Sequence, residues 1–438
     1  MNGDLTILRS LDPYHQRIGY LGALTTVAIR GLDTSDALRN RLSNLLSTKI
    51  YSEDPLYNVL MARLSGPRQA ILNKLVVRRP ERALMSTFHK DQERPWHYLS
   101  AFWLCDNEMP SPIGFIGPQK VSRIIDLAKW CGILRPTFEL SESGYIIRLL
   151  LEEQRAACST GLAFNLLRAQ WRQALVLAYF RLLLQAETLW PYLICELVER
   201  STEKRTLTSQ GPAGLLCMAV ERMIRVLGEP SHPTDALPIK QILDFRAALG
   251  RSASTAENYL RPRLELLVDL GLLERLPDDH QKRHRFPYRA TEQTVSLATE
   301  MANLANVKAP IKDFMERRYF GAMARVCGVT SRRAETLEER LLWFAVSFPK
   351  VGRELGLTPG STVANMGCLI AWEHGVVIEV EEMFDAVYEA KRTRWSEYLR
   401  MSGGSRFDRE FVIRVQDGLI EALTEARPEL KAVIDSSV

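Results

Sequence analysis

Ser254-Thr255-Ala256-Glu257-Asn258-Tyr259-Leu260-Arg261-Pro262-Arg263-Leu264-Glu265-Leu266-Leu267-Val268-Asp269-Leu270-Gly271-Leu272-Leu273-Glu274-Arg275 is the stretch on which the fold turns. Its first four residues read as a capping box, with Ser254 and Glu257 each satisfying an amide that a helix start leaves orphaned. Leu260, Leu264, Leu267 and Gly271 then share one side of the helix. Gly271 follows the last turn, where the left-handed cap conformation favours glycine. Thr255 and Asn258 point away from the apolar stripe, Tyr259 and Arg261 flank it, and Arg263 lies nearer the core border. Glu265 and Asp269 are expected on the outer face. Pro262 removes an amide bond that costs about 3 kcal/mol or more in a helix interior, which predicts a kink or a helix in two pieces.

Downstream, Pro277-Asp278-Asp279 makes a turn and His280-Gln281-Lys282-Arg283-His284-Arg285-Phe286 a basic strand. The segment closes with Tyr288-Arg289-Ala290-Thr291, and no acidic residue stands between His280 and Arg289. Upstream, 213–227 and 239–249 read as two helices, the second ended by Gly250, with a proline-bearing loop over 228–238 between them.

Three helices, Gly-Leu-Leu-Glu-Arg, a hairpin tip and a Tyr-x-x-Thr turn together resemble the winged helix-turn-helix family. The resemblance covers about a fifth of the chain. It implies that the third helix enters the DNA major groove while the wing reaches a neighbouring groove or the backbone. Thr255, Asn258, Tyr259 and Arg261 on the helix, and Lys282, Arg283, Arg285 and Arg289 on the wing, are then the expected DNA contacts. Duplex DNA carries about one charge per 1.7 Å of axis, so such cations supply affinity by releasing counterions. Asn and Arg side chains can pair bidentately with adenine and guanine edges. Two alternatives stand beside this: the basic strand as a solvated hairpin face, and a winged helix that docks protein.

A weaker copy of the pattern occupies 118–153. Val121, Ile124, Ile125 and Ala128 face inward, Gly132 ends the helix, and Gly-Ile-Leu-Arg…Phe-Glu-Leu-Ser-Glu-Ser-Gly over 132–144 is similar to the ending of a winged helix. Pro136-Thr137 forms a very short tip, and a long basic wing is missing. Lys120 and Arg123 here, with Arg78, Arg79 and Arg82, form a secondary basic patch whose bland reading is a solvated surface.

Most of the remaining chain reads as helix. Residues 36–47 place Leu38, Leu42, Leu45 and Leu46 on one face, and 67–77 and 96–104 are further helices. An apolar run over 162–198 predicts two or three packed helices, one starting or ending at Pro191, interrupted by Arg181, Glu187 and Glu196. Residues 290–346 are again helical, 356–361 a turn, and 376–380 a short strand. After a break at 402–405, Phe411, Val415, Leu419 and Leu423 form an i, i+4 stripe on a terminal helix. The fold class is therefore mainly α: a multidomain helical protein with embedded winged helix-turn-helix modules and small β-hairpins. Its divisions are an N-terminal helical domain (1–110), the degenerate module (111–156), a helical connector (157–210), the winged module (211–294) and a C-terminal helical domain (295–438).

The composition, 438 residues with 46% apolar, 25% charged and a net charge of +5, is that of an ordinary globular chain. It excludes collagen-like, disulfide-scaffold and disordered classes. Seven cysteines without a C-x-x-C pair argue against a zinc knuckle and a disulfide framework, so a reducing, cytoplasmic setting is expected. Met1-Asn2-Gly3-Asp4-Leu5 does not open a signal peptide, and no membrane association is expected. Phosphate-loop, dinucleotide, zincin and nucleophile-elbow motifs are absent. Glu373-His374 has no metal partner at useful spacing, and the tryptophans 96, 103, 130, 171 and 190 read as core anchors. No reaction, cofactor or metal is legible. The expected role is non-enzymatic binding of double-stranded DNA, as a subunit of a larger prokaryotic DNA-handling or antiviral defence complex, with protein partners or a second copy of the chain. A structural adaptor whose winged helices and terminal stripe bind protein is the alternative, and a divergent metal-dependent nuclease the third.

Overall fold

Gly132 and Gly271 each end a helix in the left-handed region, with φ of 69° and 79°, and the rest of the architecture can be laid out from these two points. In the computed structural model the described residues are 18–28, 34–46, 118–157, 172–202, 214–227, 236–249, 253–275, 288–306, 311–355, 358–403 and 411–431. Within them the chain is mainly α, and no helix there is long and apolar enough to cross a membrane.

The first helix, α1 (Ile18–Val27), is apolar on all sides and almost wholly buried. It packs against α2 (Ser35–Leu46), α3 (Pro118–Trp130) and α4 (Glu142–Ala157). Leu38 and Leu42 of α2 and Val121, Ile124, Ile125 and Ala128 of α3 are buried, as their spacing predicts. Next come α5 (Gln173–Ala186) and α6 (Trp190–Thr202), where Pro191 sits in the first turn, its missing amide unneeded there.

A three-helix unit follows: α7 (Leu215–Leu227), α8 (Ala236–Leu249) and α9 (Ala253–Asp269), each touching the other two. The helix α8 starts within the segment expected as loop, and α9 starts at Ala253, so Ser254 lies inside it rather than capping it. The helix also runs through Pro262 as one element, so of the kink or the two pieces expected there the second does not occur. Strand β1 (Leu273–Arg275) then pairs antiparallel with β2 (Tyr288–Ala290), with Glu274 opposite Arg289. Helix α10 (Glu292–Asn306) leads off and packs along α6, and the division expected between 294 and 295 falls inside it.

The C-terminal part holds α11 (Ile311–Arg317), α12 (Tyr319–Val326), β3 (Arg332–Arg333), α13 (Leu337–Leu355), β4 (Thr358–Pro359), α14 (Gly360–Glu373), β5 (Val376–Val377), α15 (Val380–Ala390), β6 (Leu399–Ser402), β7 (Val412–Val415) and α16 (Leu419–Ala426). Helices α13, α14 and α15 pack on one another, and α14 also meets α4 and α5. Strands β3 and β5 pair in parallel, and β7 lies between β4 and β6. Two expectations change here. The turn at 356–361 contains a strand, β4, and the first residues of α14. Phe411, Val415, Leu419 and Leu423 do not form one helical stripe: Phe411 precedes and Val415 ends β7, and a left-handed Gly418 (φ 89°) starts α16. Phe411, Leu419 and Leu423 are buried in the core, so this set offers no helical face to a partner.

Candidate nucleic-acid interface

The two segments that share a sequence pattern also share a hydrogen-bond pattern, bond for bond. At the end of α9, Gly271 N–H donates to Val268 O at 3.0 Å and Leu272 N–H to Leu267 O at 2.9 Å. At the end of α3, Gly132 N–H donates to Lys129 O at 3.1 Å and Ile133 N–H to Ala128 O at 2.8 Å. Both are Schellman closures, in which a left-handed residue lets two amides turn back to satisfy the last carbonyls. The chain then leaves through a hairpin and returns to the same glycine. Thr291 N–H donates to Leu272 O (3.2 Å) and Ser141 N–H to Ile133 O (2.8 Å). The Thr291 hydroxyl lies 3.3 Å from Gly271 O, and the Ser141 hydroxyl donates to Gly132 O. Each hydroxyl also accepts from the amide three residues on, Thr294 at 3.4 Å and Gly144 at 3.1 Å, which caps the following helix. A Cβ on Gly144 would overlap Ile133 O, so only glycine fits this close return.

The copies differ in the hairpin. In the first, Leu134 and Leu140 form a single bridge around a turn of five residues, 135–139. In the second, twelve residues, 276–287, separate β1 from β2. Lys282, Arg283 and Arg285 belong to that segment and lie outside the described residues. Arg289 is exposed on β2, with Glu274 at 4.0 Å across the strand pair. An exposed pair of this kind is worth about 0–1 kcal/mol and leaves the guanidinium accessible to another anion.

The third helix is more enclosed than its sequence implies. Leu260, Leu264 and Leu267 are buried as expected. Arg263 is fully buried as well: its Nε and Nη2 donate to Oε2 and Oε1 of Glu187 at 3.0 and 2.6 Å, and Glu187 is itself fully buried. Another Arg263 nitrogen donates to Tyr259 O, and the guanidinium sits 5.7 Å from the Phe245 ring centre. Glu265 and Asp269, expected on the outer face, are buried too. Glu265 accepts the Tyr288 hydroxyl at 2.8 Å, and Asp269 accepts the Ile18 amide at 3.0 Å. The side that a lone module would show to solvent is covered here by β2, by α1 and by the corner between α5 and α6.

Thr255 and Asn258 lie in the first turns of α9, their side chains outside the described residues. Tyr259 is partly buried and meets the Phe245 ring edge-on at 5.3 Å. Arg261 is also partly buried. Of the secondary patch, Arg123 is exposed on α3, Lys120 lies in its first turn with an undescribed side chain, and Arg78, Arg79 and Arg82 fall outside the described residues. The structure thus places Arg289 on β2, paired with β1 directly after α9.

Glu187 escaped the sequence reading as a partner of Arg263. A carboxylate inside an apolar run was the available signal. The other acid in that run, Glu196, receives Arg222 at 3.3 Å. Glu373 is held by Arg172, which also binds Glu153 at 2.7 Å. The His374 ring stacks on Trp343 at 5.3 Å, and burial lowers its proton affinity. Trp190 is a fully buried anchor, whereas Trp130 is exposed; the other three tryptophans read as anchors lie outside the described residues. Among the described residues no cluster of His, Cys, Asp and Glu could hold a metal ion. No protein-family model, no curated protein and no solved structure matches the chain.

Proposed function

We propose that 213–294 is a winged helix-turn-helix module that binds double-stranded DNA without catalysing a reaction, and that 118–153 is its degenerate counterpart. The observation that carries this reading is the shared closure at Gly132 and Gly271, followed by hairpins of opposite character. One hairpin is minimal. The other connection, from β1 to β2, is twelve residues long and contains Lys282, Arg283 and Arg285 in sequence, with Arg289 exposed on β2 just before the Thr291 cap. Because the second half of α9 is internal, contact falls on its first turns, with Thr255 and Asn258, and on the hairpin. Such an interface gains affinity chiefly from phosphates, which position a protein on the duplex without reporting sequence.

The test is the salt dependence of duplex binding. Four phosphate contacts give a log–log slope of about −3.6. Changing Lys282→Glu together with Arg283→Glu lowers affinity for all sequences alike and flattens the slope, while the circular dichroism spectrum stays unchanged. A wild-type slope near zero rejects DNA binding, and unchanged affinity in the double variant removes the wing. A protein-docking role is favoured by one feature, the exposed Met218 on α7 and Leu243 on α8 of the same unit, but the terminal stripe expected to serve it is internal.

A further inference from the structure

Helices α4, α5 and α14 meet around an open cleft of about 70 Å3 whose polar lining is Glu142, Ser143, Arg181, Gln185 and Asn365. Arg181 stands out on α5, where most other residues are apolar and buried. Arg172, Arg222 and Arg263 each hold carboxylates. Arg181 holds none within 4.0 Å among the described residues. Its Nη1 donates to Asn365 Oδ1 at 2.5 Å, and its guanidinium lies 5.9 and 5.8 Å from the ring centres of Tyr319 and Phe320. A guanidinium has five N–H donors. One is taken by the amide oxygen, and the ring faces accept charge density rather than a conventional hydrogen bond. Burial disfavours the charge, and the acids Glu316 and Glu379 offset this only at range. The Glu379 oxygens are already engaged by the Phe320 and Gly321 amides at 3.1 and 2.8 Å.

The neighbouring groups hold this cation ready. Asn365 Nδ2 donates to Ser361 O at 2.9 Å, which turns its oxygen toward Arg181, and the Ser361 hydroxyl donates to Glu142. The first residues of α4, a helix of 16 residues, form one edge of the cleft, and the partial positive charge of a helix start favours an anion there. Charge withdrawn from water is stable when it is paired, and the Arg181 guanidinium has more donors than the single side-chain acceptor, Asn365, bonded to it. We propose that it binds a small oxyanion, of carboxylate or phosphate size, with Arg181 as the principal contact. Glu142 on the α4 wall repels a second negative group, which restricts the ligand to one compact anionic head.

The experiment is calorimetric titration of the full chain with sodium acetate and, separately, inorganic phosphate, at ionic strength matched with chloride. Saturable binding of at least one probe is expected. Arg181→Gln weakens it about tenfold or more, the equivalent of about 1.4 kcal/mol. Gln185 is exposed at the rim, so Gln185→Glu keeps the fold and weakens the same probe by placing negative charge at the mouth. The double change Lys282→Glu, Arg283→Glu leaves binding intact. Acetate alone binding identifies a carboxylate ligand, phosphate alone a phosphate ligand. Absence of saturable binding by either probe overturns the assignment. So does binding that is indifferent to Gln185→Glu, or that disappears only with the hairpin variant.

Discussion

Replacing Arg263 by Met tests how firmly α9 is built into the molecule. The Arg263–Glu187 pair is bidentate and wholly excluded from solvent. At an effective dielectric of about 20, two charges 4 Å apart attract by about 4 kcal/mol. Desolvating the two ions costs a comparable amount, so the intact pair contributes little net stability. Removing one partner is different, because the other stays buried and uncompensated, at about 3–5 kcal/mol. Arg263→Met keeps most of the side-chain volume and strands the Glu187 carboxylate; Glu187→Met likewise strands the guanidinium. Each single change is therefore expected to cost about 3–5 kcal/mol, whereas Glu187→Met with Arg263→Met falls well short of the sum, which gives a large favourable coupling in a double-mutant cycle. Urea unfolding followed by tryptophan fluorescence measures all four proteins, with buried Trp190 three residues from Glu187 as a reporter. Single variants within about 1 kcal/mol of the wild type, or strictly additive costs, would refute the reasoning: the pair would then be hydrated and α9 free to leave its seat.

Three other outcomes follow from the packing and the caps. Gly360→Ala sets a methyl group into the Phe411 ring, which is held by Phe384 and Tyr388 at 5.9 and 5.6 Å and cannot step aside; a loss of about 1–3 kcal/mol is expected, and a thermal midpoint equal to wild type would disprove it. Ser141→Ala and Thr291→Ala remove matching caps from the two copies and should each cost about 0.5–2 kcal/mol; hydrogen exchange at Gly144 and Thr294 reads the two sites, and an effect at only one of them breaks their equivalence. Burial raises the proton affinity of Glu379, against the opposing pull of the Gly321 and Phe320 amides. The native state therefore holds this proton to higher pH than the unfolded chain does, so stability from the group grows as pH falls from neutral toward the ordinary carboxylate range. The stability of wild type minus that of Glu379→Gln should become more positive on acidification through that window, and a difference that becomes more negative there contradicts the sign.

Where neighbours in sequence decide the structure, the sequence is readable. The inward positions of α3 and α9 and the glycine stops at 132 and 271 need only a helix period and the conformational latitude of one residue. Where partners come from afar, it is not. Glu265 and Asp269 look solvent-facing on a helical wheel, because the wheel assumes water beyond the apolar stripe. Their partners are 23 and 251 residues away and have no local signature. Arg263 is the same case at a separation of 76. The stripe from Phe411 to Leu423 failed for another reason. A strand of four residues, β7, is too short to display its alternation, and side chains four apart satisfy a helix equally well. The cations between His280 and Arg289 were legible as a run of charge without an intervening acid, but a run of charge says nothing of its base. That base, two short strands and a capped helix start, is what the structure adds.

The buried ions also bear on what a DNA duplex could reach. Three charges in the second half of α9 are tied to three separate parts of the chain: Arg263 to the α5–α6 corner, Glu265 to β2 and Asp269 to the start of α1. Apolar side chains could stabilise the same contacts about as well, but they would tolerate a slide or a rotation of the helix that a bidentate pair does not. The seat of α9 is therefore fixed in register, and with it the direction in which the hairpin leaves at Gly271. A helix fixed in this way cannot roll its second half into a groove to suit a sequence. If the module holds DNA, it does so as a rigid wedge, with recognition confined to the first turns of α9 and affinity coming from the hairpin cations. Asn258→Ala should then change sequence preference far less than Lys282→Glu with Arg283→Glu changes total affinity. Competition binding with duplexes of varied sequence measures both, and a loss of sequence preference in the asparagine variant as large as the loss of affinity in the hairpin variant would mean that α9 moves.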